Sequence, residues 1–353
     1  MARTRFAPDT GLTVRMTSVM FLLGALFVAL VVGVMFILPA GYAPIIAVIG
    51  LGIAWYQWYS SDKVAMRAMR AREVTPEEAP ELHGMIDRLC AMADMPKPRV
   101  GIADLSIPNA FATGRSPDRS VVCVTTGILG MLTADEMEAV LAHELSHVAH
   151  RDVTVMTIAS TAGIMAGMLT RGAQYGAFFG GGRRDNNNNT GGLPIWLVVL
   201  VVSLVVYAVS FFLTRLLSRY RELCADRSGA YLTMKPRALA TALQKISSGM
   251  NAIPTADLRA SSAMNAFFIA PAIKGVSLSQ LTSTHPSLEQ RLEQLAKIEA
   301  ELSRPVDGAG GPAAPSTACC SAGAVATTTT TAAPSPSSGS SPSAWPSTRS
   351  ASS

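Results

Sequence analysis

The segment His143-Glu144-Leu145-Ser146-His147 carries the residue types of a metal-dependent hydrolase at a workable spacing. On an α-helix, positions four apart lie only about 40° round the axis. Two imidazoles so placed can grip one zinc ion. Glu144 falls about 100° from His143, beside the metal and not on it. A base must stand there to take a proton from an activated water. The bland alternative is a helix that happens to show His and Glu on its surface. Val140, Leu141 and Val148 argue against it by giving this helix an apolar face to bury.

Catalytic zinc keeps three protein ligands and one open position. His150 cannot be the third, because seven residues of helix separate it from His143 by about 10 Å of rise. It reads as a flanking polar residue, and His83 as part of an ordinary amphipathic helix. Glu222, in Arg221-Glu222-Leu223-Cys224-Ala225-Asp226, is the better candidate. Glu222 and Asp226 are four apart and share a helix face. One carboxylate can then reach the metal while Asp226 receives the ring N–H of a ligating His. Cys224 is about 200° round from Glu222 and points away.

These residues must be positioned by the rest of a 353-residue chain that is 49% hydrophobic and only 15% charged. Soluble proteins carry about a quarter charged residues, so a membrane is implied. Four apolar runs stand out: Thr17–Leu38, Pro44–Trp58, Val153–Leu169 and Leu193–Leu213. The first is long enough to cross a hydrocarbon core of about 30 Å. It reads as an uncleaved span, although the small residues at Ala40-Gly41-Tyr42-Ala43 leave a cleaved signal open. Pro39-Ala40-Gly41 marks a turn, and Trp55, Tyr56, Trp58 and Tyr59 read as an interfacial aromatic belt. The net charge of +5 has a local cause. Arg3, Arg5 and Arg15 precede the first run, and Lys63, Arg67, Arg70 and Arg72 follow the second, as cytoplasmic flanks do. Nucleic acid is therefore not an expected partner. His143 and Glu222 must lie on one side of the membrane, which requires an even number of crossings between them. The third and fourth runs supply it, either as two full spans or as a re-entrant pair. Arg183-Arg184 in the loop between them runs against the charge bias.

Between the hairpins, Thr75-Pro76-Glu77-Glu78 predicts a helix start, and Leu82, Met85, Ile86 and Leu89 space its apolar face. Strands are expected over Arg99–Ala103, Asn109–Thr113 and Ser120–Thr125. Thr133-Ala-Asp-Glu136 predicts a capping box opening the His143 helix, which should run through His150. Helix should also prevail from Arg215 to Glu301, and the Ala/Ser/Thr/Pro/Gly tail beyond Arg304 reads as disordered. Five cysteines with no CxxC pair suit a reducing compartment and incidental, mostly buried thiols. The resulting division is a membrane hairpin at 1–60, a first catalytic part at 61–152, a second hairpin at 153–214, a second catalytic part at 215–303, and a tail at 304–353. The fold class is α+β, mainly helical, with four membrane segments and a zincin-like domain holding a small antiparallel sheet.

HELSH, the downstream RELCAD and the paired apolar runs resemble the HtpX-type membrane zinc metallopeptidases, relatives of the CAAX prenyl endopeptidases. Two further segments agree: Pro108-Asn109-Ala110-Phe111-Ala112-Thr113-Gly114, and Ser283-Thr284-His285-Pro286-Ser287 with Arg291. The resemblance covers roughly residues 15 to 300. It implies one zinc ion, protein or peptide substrates, and quality control of membrane or misfolded proteins as part of a stress response. It also implies a multi-pass protein of a bacterial inner membrane, with the catalytic domain facing the cytoplasm. By the same resemblance Asn109, Ala110 and Phe111 lie on a substrate-binding edge strand, Asn109 holding substrate backbone, and His285 supports the developing oxyanion. Ser287 replaces the family's second Pro, and Leu223 and Cys224 replace an aromatic and a polar residue. No proposed ligand is lost. A zinc hydrolase of another substrate class and a non-catalytic membrane scaffold remain the competing readings. Oligomeric state is left unassigned.

Overall fold

The computed structural model describes residues 10–37, 42–179, 195–252 and 285–304. The turn expected at 38–41, the loop expected between the third and fourth apolar runs, the part of the expected helical stretch at 253–284 and the tail lie outside them, as do Ser283, Thr284, Cys319 and Cys320. Two units are distinguished, residues 1–299 and 300–353, and the site lies wholly in the first.

The apolar runs form helices with few buried positions. Helices α1 (Thr10–Ile37) and α2 (Tyr42–Tyr59) come first. Helices α7 (Asp152–Phe179) and α8 (Ile195–Thr233) come later and pack along each other. Leu30, Met165, Ala166, Leu169 and Val206 form one buried cluster among them. Phe21, Val28, Val48, Leu204, Val205 and Phe212 instead point outward. An outward apolar surface of this extent belongs against lipid. Among the described residues, three helical stretches are long and apolar enough to cross a membrane: Val14–Gly33, Asp152–Gln174 and Trp196–Thr233. Helix α2 is not among them. Its last turn, Trp55-Tyr56-Gln57-Trp58-Tyr59, replaces aliphatic residues with polar-tipped ones.

Helix α8 has 39 residues, or about 58 Å at 1.5 Å per residue. That is nearly twice a hydrocarbon core of about 30 Å. The apolar run and the Glu222 segment, separate by composition, are thus one continuous helix. Its second half reaches the site directly from the membrane half.

Between the hairpins lie α3 (Ser61–Ala68), β1 (Ala71–Glu73), α4 (Pro80–Ala93), β2 (Arg99–Ala103), β3 (Ala110–Ser116), β4 (Arg119–Thr125), α5 (Thr126–Met131) and α6 (Ala134–Ala149). The chain continues through α9 (Pro236–Ala252) to α10 (Leu288–Leu302). Helix α4 does not start at Thr75. Thr75–Ala79 forms a turn in which Glu78 Oε2 accepts from the Thr75 N–H at 2.9 Å. Pro80 then keeps Ala79 out of the helical region (φ −141°, ψ 63°) and becomes the first helical residue.

The sheet is mixed, not antiparallel, in the order β1-β2-β4-β3. Strand β4 runs parallel to β2, pairing Arg99 with Val121 and Ala103 with Thr125. Strand β3 turns back antiparallel on its other side, pairing Ala112 with Val122. The cause is the loop after β2. Thr125 Oγ1 donates to the Ile107 carbonyl at 2.8 Å and accepts from the Asn109 N–H at 2.9 Å. The Gly127 N–H donates to the Leu105 carbonyl at 2.9 Å. The end of β4 therefore holds residues 105–109 outward, and β4 slips between β2 and β3. Central and buried on both faces, β4 reads as a continuous apolar run.

Helix α6 opens with the expected capping box between Thr133 and Glu136. It ends at Ala149, one residue early, because Arg151 takes a left-handed φ of 55° and turns the chain into α7. Packed on every side by α4, α8, α9 and the sheet, α6 is buried from Glu136 to Ser146. Met137, Leu141 and Leu145 join Leu239, Leu243 and Ile246 among the largest fully enclosed side chains.

Candidate metal centre

Helix α6 presents His143, Glu144 and His147, and α8 presents Glu222 and Asp226 against them. Gly229 sets how closely the two helices approach. A Cβ there would sit 2.9 Å from the His143 backbone nitrogen and 3.2 Å from its Cα. Both are backbone atoms that cannot move aside, so only glycine fits.

His143 Nδ1 lies 3.0 Å from Asp226 Oδ1. His147 Nδ1 lies 2.7 Å from Asp152 Oδ2. An ionised carboxylate can only accept, so each Nδ1 carries the hydrogen and each Nε2 keeps its lone pair. Those two Nε2 atoms face each other at 3.2 Å. Glu222 brings Oε2 to 3.7 Å from His143 Nε2 and Oε1 to 3.6 Å from His147 Nε2. Three converging lone-pair donors are mutually repulsive without a cation. Their spacings approach the tetrahedral edge of about 3.3 Å that bonds of 2.0–2.1 Å give. One ligand atom from each of the three residues lies within 4.8 Å of the other two. The donor set fits a divalent metal.

Glu144 is enclosed beside this group. Its Oε2 accepts the Ala112 N–H of β3 at 3.0 Å. Burial raises its carboxyl above the ordinary range, opposed by the two histidines, reinforced by Glu222 and opposed again by Ala112. A carboxyl so raised is a better proton acceptor than a free one.

Asp226 lies as its spacing from Glu222 requires, but its chief partner was not foreseen. Arg291 of α10, 3% exposed, clasps it through Nε at 2.7 Å and Nη2 at 2.6 Å. Arg291 Nη1 also lies 3.7 Å from Glu222 Oε2. Asp152 and Arg221 were likewise not foreseen. Arg221 pairs with Asp152 Oδ1 and donates to the His150 carbonyl at 3.2 Å. The first residue of α7 thereby orients a ligand on α6 and is itself held from α8. His150 takes no part in the ligand set. Burial first, then Arg221 and His147, pull its pKa down to about 4.

His285 lies at the site, with Nδ1 3.1 Å from Glu222 Oε2. Phe111 and Ala110 are buried in β3. Asn109 is 0% exposed, and its backbone N–H and carbonyl are both taken by Thr125. Among the described residues Cys90, Cys123 and Cys224 form no disulfide. Burial raises the first two to about 11 and about 12, which makes them inert.

Asp152→Asn should weaken metal binding by roughly 10–100-fold, the scale of losing a carboxylate behind a ligating His. Competition against a chromophoric chelator measures this directly. An unchanged affinity would remove Asp152 from the site.

Comparison with known proteins gives the family. The sequence matches peptidase family M48 over residues 76–299. It is 52% identical to protease HtpX homolog 1 of Streptomyces coelicolor, over 85% of this chain and 97% of that one. It is 49% identical to a protease HtpX homolog of Moorella thermoacetica, over 85% and 98%. The crystal structure of S. mikatae Ste24p aligns with a TM-score of 0.49 and 18% identity, over 80% of this chain and 65% of that one. With its paired histidines and glutamate gathered beside a buried base, the chain belongs to peptidase family M48 and is a membrane metallopeptidase.

Proposed function

We propose that the chain is a zinc-dependent endopeptidase that cuts membrane or misfolded proteins at the cytoplasmic face of a bacterial plasma membrane. The observation that carries this reading is the mutual approach of His143 Nε2, His147 Nε2 and Glu222 at 3.2–3.7 Å, with Glu144 alongside. Two imidazoles and one carboxylate are a donor set that suits catalytic zinc. When bound there, Zn²⁺ would polarise the scissile carbonyl and acidify a water.

The chain's own residues do the rest. Glu144 takes the proton of the attacking water and passes it to the leaving amine. Asp226 and Asp152 hold the two imidazoles in their Nδ1–H form. His285, held at Glu222, supports the developing oxyanion. A substrate path along β3 is supported by Ala112, whose N–H reaches Glu144 and so points away from β4. An extended peptide can add to that edge as a further strand. Asn109, Ala110 and Phe111 lead into it. Asn109, its backbone pinned to Thr125 at the start of the strand, holds substrate backbone in this reading.

Helix α2 completes four membrane segments in this reading. It packs on α7 and turns Val48, Ile49, Leu51 and Ile53 outward. The metal site joins 61–152 to 215–303 as one catalytic unit entered from two hairpins.

The detergent-purified full chain should cleave casein. Chelation should stop cleavage, and one equivalent of Zn²⁺ should restore it. Cleavage indifferent to chelation would refute the reading. For orientation, a single cysteine at Asp118, in a chain lacking the native ones, should resist an impermeant thiol reagent in intact cells and react after permeabilisation. Labelling of intact cells would put the site outside.

A further inference from the structure

Strand β3 has two unlike ends. Its Ser116 end is tied to the membrane helices. Thr154, in the first turn of α7, donates through Oγ1 to the Arg115 carbonyl at 3.4 Å and accepts from Trp58 Nε1 of α2 at 2.9 Å. Arg115 Nη1 donates to the Tyr59 carbonyl at 3.4 Å, and its guanidinium lies 4.3 Å from the centre of the Tyr59 ring. The other end of β3 is held against α9 instead. Pro108, just before the strand, sits where a Cβ on Gly249 of α9 would meet it at 3.2 Å. Helix α9 is not among the membrane candidates.

The edge between these ends is directional. Ala112 points its N–H outward to Glu144, and residues two apart in a strand face the same way. The outward main-chain groups are therefore those of Ala110, Ala112 and Gly114, the last at the bulge before Ser116. Among the described residues no strand covers that edge. A peptide added there pairs best antiparallel, the more stable arrangement per residue. It must then run opposite to β3, with its N-terminal flank over Gly114–Ser116 at the bilayer and its C-terminal flank over Ala110, away from it.

We propose that this protease prefers substrates whose scissile segment follows the C-terminal end of a transmembrane helix, and disfavours segments that precede an N-terminal end. The inference rests on the peptidase reading above and adds the substrate's polarity to it. From Ala112 to Arg115 is three residues, or about 10 Å of strand. The cut should therefore fall about three or more residues past the end of the substrate helix. A segment preceding a helix would place its C-terminal flank in the membrane and would have to lie parallel to β3, or leave the edge.

The test uses the full-length chain co-reconstituted in lipid nanodiscs with one of two substrates. Each carries the same unstructured casein segment on one model transmembrane helix, either after its C-terminal end or before its N-terminal end. The free segment and the Glu144→Gln chain serve as controls. Either insertion orientation reduces both membrane substrates alike, so their ratio is informative. The segment placed after the helix should be cut about tenfold faster or more, because a tether whose geometry forbids engagement loses its whole advantage. Equal rates, the reverse preference, or cleavage of the free segment with neither membrane substrate cut would overturn the polarity and leave the peptidase reading standing. Failure to cut even the free segment would overturn both.

Discussion

Glu144→Gln should abolish peptide cleavage while metal binding and folding persist. The expected loss is about 10²–10⁴-fold in rate, the usual worth of one positioned proton-transfer group. Glutamine matches glutamate in shape, and its amide oxygen can still accept the Ala112 N–H that now reaches Glu144 at 3.0 Å. It cannot accept a proton from the attacking water. His143, His147 and Glu222 are untouched, so the metal should stay. Stability should not fall either. Burial makes the ionised form of Glu144 costly in the folded chain, as its raised carboxyl shows. A neutral amide removes that cost. Casein cleavage, metal content and thermal unfolding measured on one preparation check all three expectations. Near-normal proteolysis would take the base role from Glu144.

The parts of this site that were legible in the sequence are those set by local helix geometry. His143 and His147 share a face because they are four apart. Asp226 meets His143 because it is four from a ligand on the facing helix. Thr133 and Glu136 announce the start of α6 by their own spacing. What was not legible depends on pairing across long separations. Asp152 follows His150 and Arg151 at the start of a membrane helix, and nothing nearby marks it as the partner of His147. Its tie to Arg221 spans 69 positions of chain and exists only because α7 and α8 lie side by side. Arg291 belongs to a recognised segment, yet its grip on Asp226 depends on where α10 docks.

The fold shows the same division. The three strands were located to within a few residues by alternation and turn chemistry. Their order was not, because β4 is drawn between β2 and β3 by Thr125 and Gly127 holding the 105–109 loop. Strand β1 has three residues and no apolar pattern to find. The break at Thr75–Ala79 shows a strong start signal overruled by Pro80, one residue's ring constraining the residue before it. Gly229 was unremarkable in the sequence, and only the approach of two backbones shows why no side chain fits there.

Glu222→Ala should lose both metal and activity, the largest effect expected of any single change on α8. Without that carboxylate only two imidazoles remain, their Nε2 atoms 3.2 Å apart, with nothing to close the third side. Catalytic zinc sites keep three protein ligands. Arg291 would keep Asp226 as its main partner, so the fold around α10 should survive. The most direct measurement is therefore elemental analysis of the purified full-length chain, wild type beside Glu222→Ala, after dialysis against buffer with trace zinc. The account predicts about one zinc per wild-type chain and close to none in the variant. Stoichiometric zinc in Glu222→Ala, or none in a folded wild type, would contradict it.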